Sequence, residues 1–362
     1  MSAKLPHRSL LVTGGAGFIG SNFVRWWRRR RPADRVVVLD ALRYSGTRES
    51  LQSLARGAEF QFCLGDICDF ELVRELFTTH SIDTVVHFAA ESHVDRSIES
   101  PDVFLRTNVL GTHALLKAAR EAWSRLTNPA RRPRFHHVST DEVFGTLSDE
   151  EAGFSETTAY APNSPYAASK AASDHLVRSY YRTFGLPVTT SNCSNNFGPY
   201  QHPEKLVPSM IVRALMGQRL PVYGDGLHRR EWLFVEDHCQ AVELVLDGGS
   251  EGETYNIGGG HETANIDLVR ELCRRIDERF HRDLSLKERF PNSPPAASES
   301  CFSLISSVTD RLGHDRRYAI DGRKAARELG YSASYSFSAA LDATVDWYLT
   351  NEHWWRPLVA GS

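Results

Sequence analysis

SLLVTGGAGFIGSNFVRWWRRR (residues 9–30) reads as a short buried strand, Ser9–Thr13, a glycine turn, and a helix, Phe18–Arg30. Backbone amides at a helix N-terminus point outward, and the helix dipole favours an anion there. Gly14, Gly17 and Gly20, with Phe18 and Ile19 between them, let the main chain turn tightly and approach a pyrophosphate. The next apolar run, RVVVLD, ends at Asp40, about 20 residues beyond Gly20. A carboxylate at that spacing suits the adenosine ribose hydroxyls and repels the extra phosphate of NADP, so the expected cofactor is NAD. Arg43 lies close by and weakens that preference slightly.

Working outward, the alternation continues. Strands are expected at Arg35–Asp40, Glu59–Leu64, Thr84–Ala89, Arg134–Ser139 and Val188–Asn192. Helices are expected at Glu71–Thr79, Val103–Trp123 and Ala167–Phe184. Short β-branched runs between amphipathic helices predict an α/β fold, a Rossmann-type doubly wound parallel sheet covered on both faces. After about Asn195 proline and glycine become frequent, and a smaller C-terminal substrate-binding lobe is expected. The expected division is 1–195 for the cofactor domain and 196–231 with 259–362 for the second lobe. Residues 232–258, carrying strands at Trp232–Val235 and Thr254–Ile257, are expected to rejoin the first sheet. Pro291–Ser307 reads as a long loop, and short helices are expected at Arg323–Gly330 and Phe337–Tyr348.

Composition narrows the class. The chain has 362 residues, 41% hydrophobic and 24% charged, which suits a globular protein of two lobes. A net charge of −3 gives no basic excess for nucleic acid or an anionic membrane. No run reaches the ~18 apolar residues of a membrane helix, and Met1–Ser9 lacks a signal-peptide pattern. Six scattered cysteines (Cys63, Cys68, Cys193, Cys239, Cys273, Cys301) suit reduced thiols in a cytoplasmic protein better than disulfides or zinc. The fifteen histidines show no HExxH-like spacing, so no metal is expected. The runs Arg28–Arg31 and Arg131–Arg132 read as solvated faces.

Two further segments carry chemistry. Asp66 and Ile67 follow the third strand and could flank an adenine, and Ala89 and Ala90 end a strand where ligands lie close to the backbone. Tyr166 and Lys170 sit at i and i+4, on one helix face. A neighbouring ammonium and a positive nicotinamide ring would lower the phenol's pKa and make Tyr166 a base for a sugar hydroxyl. Lys170 can also hold the nicotinamide ribose. Asp141 and Glu142 are adjacent, so they reach one substrate only from a turn beyond the strand end. An acid and a base side by side need environments that push their pKa values apart.

The combined motifs resemble the extended short-chain dehydrogenase/reductase family, and within it the dTDP-glucose 4,6-dehydratases. The resemblance runs from about Ser9 to Gly330. It is carried by TGGAGFIGS (13–21), FAAESHVDRSI (88–98), STDEVFG (139–145), SPYAASKAASDHLVRSY (164–180), NCSNNFGPYQHPEKL (192–206), REWLFVEDH (230–238), TYNIGGG (254–260) and TDRLGHDRRYAID (309–321). It implies a nucleotide-sugar substrate, dTDP-glucose, oxidised transiently at C4 with Tyr166 taking the hydroxyl proton. Glu142 would then remove the C5 proton, Asp141 would protonate the departing C6 hydroxyl, and the hydride would return to C6. Thr140 would hydrogen-bond the C4 hydroxyl.

The resemblance implies further contacts. Ser92, Thr140 and Asn195 would meet the sugar or its phosphates, with Ser92 also near the cofactor. Thr107 and Asn196 would lie by the cofactor. Lys205, Leu206, Pro221, Tyr223, Arg230, Asn265, Asp310, Arg311 and His314 would line the nucleotide pocket, Arg230 being suited to a diphosphate. His93 is expected in a structural or cofactor-side role. The helices Val103–Trp123 and Ala167–Phe184 would pair with their copies in a homodimer, or pack only on the sheet. Phe144, Phe197, Glu231 and Leu312 depart from the family's usual Tyr, Tyr, Asp and Pro, which bears on nucleotide choice and affinity. A dehydratase or 4-epimerase of another nucleotide sugar, such as UDP-glucose, and a silent NAD-sensing protein are the competing readings. Asp141 and Glu142 argue against the epimerase, and the retained catalytic set argues against the sensor.

Overall fold

The computed structural model describes residues 7–43, 45–54, 57, 59–126, 132–310 and 313–360. Twelve strands occur among them: β1 (Ser9–Thr13), β2 (Arg35–Asp40), β3 (Phe60–Leu64), β4 (Thr84–His87), β5 (Arg134–Thr140), β6 (Val188–Cys193), β7 (Asn195–Phe197), β8 (Leu220–Tyr223), β9 (Arg229–Phe234), β10 (Thr254–Ile257), β11 (Glu262–Ala264) and β12 (Ile305–Val308). Seven form one sheet in the order β10-β6-β5-β4-β1-β2-β3, every neighbour parallel. The order reverses at β1, the switch point where open α/β sheets bind ligands.

The apolar runs are continuous because both faces are covered. Leu10 and Val12 of β1 face Phe23, Trp27, Val235 and Val242. Leu11, between them, faces the opposite side with Leu115, Leu116 and Val177. The first helix, Phe18–Arg30, is tied to the helix Val235–Gly248 by a bond from Trp26 Nε1 to Glu243 (2.7 Å). A second core gathers Phe197, Met210, Trp232, Leu272, Tyr348 and Trp355. No helix of the described residues is long and apolar enough to cross a membrane.

Three expectations need correction. The strand expected at Trp232–Val235 does not join the large sheet. Arg229–Phe234 lies in a separate sheet, β11-β9-β7, and the return begins at Val235 with the helix and then β10. Pro291–Ser307 is not a plain loop: Ile305–Val308 pairs in parallel with β8. The helix expected over Val103–Trp123 starts at Pro101 and is interrupted by a π-helical stretch, Leu105–Gly111.

Candidate active site

The glycine turn is packed against backbone. Gly14 has φ +68°, and a Cβ there would lie 2.6 Å from the Ala89 nitrogen. A Cβ on Gly20 would lie 2.2 Å from the Gly14 oxygen. Glycine is therefore required for the helix to start this close to the strand ends. Together with Gly17, Phe18 and Ile19, these residues form one end of a cleft of about 310 Å³ along the carboxyl edge of the sheet.

The carboxylate of Asp40 caps that end. Its oxygens accept from the Ala16 and Leu42 amides, both at 2.8 Å, and lone pairs remain for a ribose hydroxyl. Burial raises its pKa and the backbone bonds oppose the rise. Arg43 spans the mouth beside it, paired with Asp66 (2.9 Å) and Glu91 (3.0 Å). Asp66, Ile67, Ala89, Ala90 and Thr107 all line the cleft. Thr107 lies on the π-helical stretch, and the next residue, Asn108, accepts from the Glu91 amide (2.9 Å). A π-turn at a ligand cleft is a common location for such an irregularity. Glu91 was not singled out in the sequence, although it lies inside the FAAESHVDRSI run.

At the other end, β5 finishes at Thr140 and the chain enters a 3-10 turn, Asp141–Phe144. The Thr140 hydroxyl accepts from the Glu142 amide (3.3 Å), which holds the turn. This is the geometry two adjacent carboxyls need to serve one cleft, and both line it. Asp141 is 1% exposed, and its Oδ2 has no hydrogen-bond partner. Burial, then Glu142 and Glu231, push its pKa well above the usual carboxylate range against the opposing charge of Arg230. These influences favour the protonated form of Asp141, the form a general acid needs.

Ser164 caps the helix Pro165–Phe184 by accepting from the Ala167 amide. Its first turns bring Tyr166 and Lys170 to the cleft. Lys170 Nζ donates to the Val138 carbonyl (2.9 Å), and burial lowers its pKa. The lowered phenol expected for Tyr166 is not what the protein's own groups produce. Burial, then Glu142 and Cys193, raise it well above its ordinary value, and a hydrogen bond with Thr140 only partly offsets this.

On the substrate side the structure separates the expected residues. Ser92, Asn195, Asn196 and Lys205 line the same cleft, and Lys205 Nζ donates to the Ser92 carbonyl (3.2 Å). Asn195 Oδ1 and Ser194 Oγ are buried without partners, polar atoms suited to a ligand. Leu206, Pro221, Tyr223, Arg230, Asn265, Asp310 and His314 do not line it. Arg311, like Leu312, lies outside the described residues. Arg230 lies outside this cleft, where its fork donates to the carbonyls of Arg229 (2.8 Å) and Asp315 (2.8 Å) and stacks on Tyr318. His314 and His228 stack at 3.7 Å and share the Asp310 carboxylate, a gathering that chain spacing did not reveal.

Three departures have structural surroundings that account for them. Glu231 accepts from the amides of Gly260 and Ile320, both at 2.8 Å, tying β9 to two loops. Phe197 packs edge-on against Trp232 and Phe337. Phe144 stacks on Phe154.

The family model described as GDP-mannose 4,6 dehydratase matches residues 11–344. The dTDP-glucose 4,6-dehydratase of Xanthomonas campestris pv. campestris (strain B100) is 54% identical over 97% of this chain and 96% of its own length. DesIV of Streptomyces venezuelae, a dTDP-glucose 4,6-dehydratase solved with NAD bound, superposes with a TM-score of 0.85 at 45% identity, covering 97% of this chain and 99% of that one. A UDP-glucose 4-epimerase of Thermotoga maritima gives a TM-score of 0.80 at 26% identity, covering 95% of this chain and 99% of that one. The fold is thus shared with epimerases, while sequence identity is far higher to the dehydratases, and the chain belongs to the dTDP-glucose 4,6-dehydratase family within the extended short-chain dehydrogenases/reductases.

Proposed function

We propose that this chain is an NAD-dependent hydro-lyase that converts dTDP-glucose to dTDP-4-keto-6-deoxyglucose and water. One observation carries the reading: Asp141, buried so that its protonated form is favoured, adjoins Glu142 in the cleft that also holds Tyr166 and Lys170. Epimerisation at C4 needs no such acid–base pair. The cleft suits NAD, because the glycine turn offers helix N-terminal amides and Asp40 offers a carboxylate to the ribose. Gly14, Gly17, Phe18, Ile19, Gly20, Asp40, Arg43, Asp66, Ile67, Ala89, Ala90, Ser92, Thr107 and Asn196 would hold it with Tyr166 and Lys170. When bound, NAD accepts a hydride from sugar C4 and gives it back at C6.

The side chains do the rest. Thr140 binds the C4 hydroxyl and Tyr166 takes its proton. A buried phenol ionises only with positive charge beside it, and Lys170 is the cation on its helix face. Once C4 is a ketone the C5 proton is acidic, and Glu142 removes it. Asp141 protonates the C6 oxygen, which leaves as water, and once C6 has received its hydride Glu142 gives the proton back to C5. Asn195, Ser92 and Lys205 bind the sugar and phosphates. Leu206, Pro221, Tyr223, Arg230, Asn265, Asp310 and His314, none of which lines this cleft, are assigned with Arg311 to the nucleotide on the family resemblance.

The same reading assigns the cofactor to 1–195 with 235–257 and the nucleotide sugar to the remainder. It makes the protein a cytoplasmic homodimer. Ile98, Val103, Leu105 and Leu110 are all at least 40% exposed on the helices before and within the π-stretch, a surface suited to a second copy. Light scattering after gel filtration tests the dimer. For the reaction, dTDP-glucose, UDP-glucose and GDP-mannose carrying deuterium at C4 are offered in turn. Deuterium transferred to C6 of the dTDP sugar with loss of water is the expected result. Retention at C4 with inverted configuration overturns it.

A further inference from the structure

Lys170 is an ammonium in an enclosed place. It is 5% exposed and donates to a neutral carbonyl, that of Val138. Burial disfavours a charge of this kind unless an opposite charge stands near. The opposite charge lies one turn further along the same helix. Asp174 is buried, and its carboxylate accepts three hydrogen bonds: from His137 Nε2 (2.9 Å), Ser139 Oγ (2.8 Å) and the Tyr160 hydroxyl (2.9 Å). The His137 ring is fully buried and its Nδ1 has no partner, so neutral His137 carries its proton on Nε2 and donates. Three donors on one carboxylate favour its ionised form.

We propose that Asp174 is the positioning residue of the Tyr166–Lys170 pair: its carboxylate, clamped by His137, Ser139 and Tyr160, is the counter-charge that keeps Lys170 an ammonium inside the cleft. The proposal rests on the catalytic reading of Tyr166 and Lys170 given above. Asp174 touches neither substrate nor cofactor and acts through Lys170. The charges surrounding the pair agree with this. For Lys170, Asp174 is the largest influence opposing burial, with Cys193 of β6 behind it. For Asp174, Lys170 is the largest influence opposing burial, followed by Ser139, Tyr160 and His175, and the result is a carboxyl that titrates at about 6. His87 on β4 and His137 on β5 also feel the Lys170 charge, but burial keeps both neutral. No other carboxylate faces Lys170 closely enough among the described residues to replace Asp174 in its balance.

Two consequences follow. Below about pH 6 Asp174 takes up a proton, the counter-charge is lost, and catalysis declines on the acid side. Removing the charge permanently lowers the pH at which Lys170 gives up its proton.

The test uses the NAD-loaded full chain and two readouts. Protein labelled with 13C-lysine is titrated by NMR, with the Lys170 signal assigned by its absence in Lys170→Arg. Turnover of dTDP-glucose is followed over the same pH range. In Asp174→Asn the Lys170 midpoint and the alkaline limb of kcat should both move down by about 1 pH unit or more, the range an opposing charge at close quarters produces. Tyr160→Phe, which removes one donor and leaves the charge, should move the acid limb upward from about 6. A Lys170 midpoint in Asp174→Asn equal to that of the wild type overturns the proposal. If Asp174→Asn does not fold, an unmoved acid limb in Tyr160→Phe overturns it. Wild type that turns over no dTDP-glucose, while Lys170 still shifts in Asp174→Asn, would sink the functional reading and leave the electrostatic role standing.

Discussion

Gly20→Ala perturbs the cofactor cradle at its tightest point. The added Cβ would stand 2.2 Å from the Gly14 oxygen, 2.8 Å from the Gly15 Cα and 2.9 Å from the Gly14 carbonyl carbon. All three are backbone atoms, so no flexible side chain can move aside. Restoring an ordinary contact of about 3.4 Å to the Gly14 oxygen requires a shift of about 1.2 Å (3.4 − 2.2). The shift has to come from the turn, because the strand behind it is hydrogen-bonded on both sides to β2 and β4. Overpacking of this kind costs about 1–3 kcal/mol, which lowers Tm by several degrees. NAD binding should suffer more directly, since the amides that meet the pyrophosphate lie on the displaced segment. A loss of about 1.4 kcal/mol or more, tenfold in affinity, is the expected minimum. Isothermal titration of NAD into the apoprotein measures it, with a thermal melt on the same sample. An unchanged NAD affinity in a variant whose Tm has fallen would show that the glycine serves only helix–strand packing, and the cradle argument would be refuted.

Further substitutions separate the steps of the reaction. Tyr166→Phe should abolish oxidation at C4, seen as no cofactor reduction in a single turnover. Glu142→Gln should still reduce the cofactor but form the 4-keto-6-deoxy sugar about 10²- to 10⁴-fold more slowly; normal turnover would refute its role as base. Asp141→Asn should be equally slow in product formation and should change the pH dependence of stability. The folded pKa of Asp141 is raised, so between the unfolded and folded values the folded state holds the extra proton, and stability falls as pH rises through that window. Melts across that window should therefore show the wild type losing ground to Asp141→Asn as pH increases, and parallel curves would contradict this. Glu231→Asp shortens the side chain that bonds Gly260 and Ile320, and should cost about 1–3 kcal/mol in denaturant unfolding despite being the family's usual residue.

What the chain revealed in advance, it revealed where neighbours in sequence are neighbours in the site. The glycine turn, Asp40, Thr140–Glu142 and the Tyr166–Lys170 helix face are local patterns, and local geometry places them. Glu91 and Asp174 were hidden for the opposite reason. Each matters through partners from distant segments, Arg43 for one and His137 with Tyr160 for the other. The carbonyl partners of Arg230 were equally out of reach of the sequence, since Asp315 lies 85 residues away. The strand Arg229–Phe234 misled because a short apolar run says nothing about which sheet it enters. Ile305–Val308 formed a strand at the end of a Pro-, Ser- and Ala-rich stretch because β8 offered it an edge, a tertiary gain that local propensity does not contain.

The acid–base assignment is the point where fold and chemistry meet most closely. Asp141 and Glu142 are successive residues with the same functional group, so intrinsic chemistry cannot make one an acid and the other a base. The turn does it. Leaving β5 at Thr140, the 3-10 turn buries Asp141 to 1% exposure, where Glu142 and Glu231 add negative charge against it. Glu142 stays partly exposed toward the cleft. Ionising both would set two negative charges side by side with one of them out of water, so burial favours a proton on the inner residue. Glu231 is part of this device although it lies on β9, outside the large sheet. Its own carboxylate is fixed by two backbone amides and cannot swing away from Asp141. A shorter Asp at that position would withdraw that charge, and the acid would then ionise at lower pH. The alkaline limb of elimination in Glu231→Asp should accordingly move down while C4 oxidation keeps its wild-type profile. A limb that stays in place would mean that burial and Glu142 favour the proton on Asp141 without Glu231.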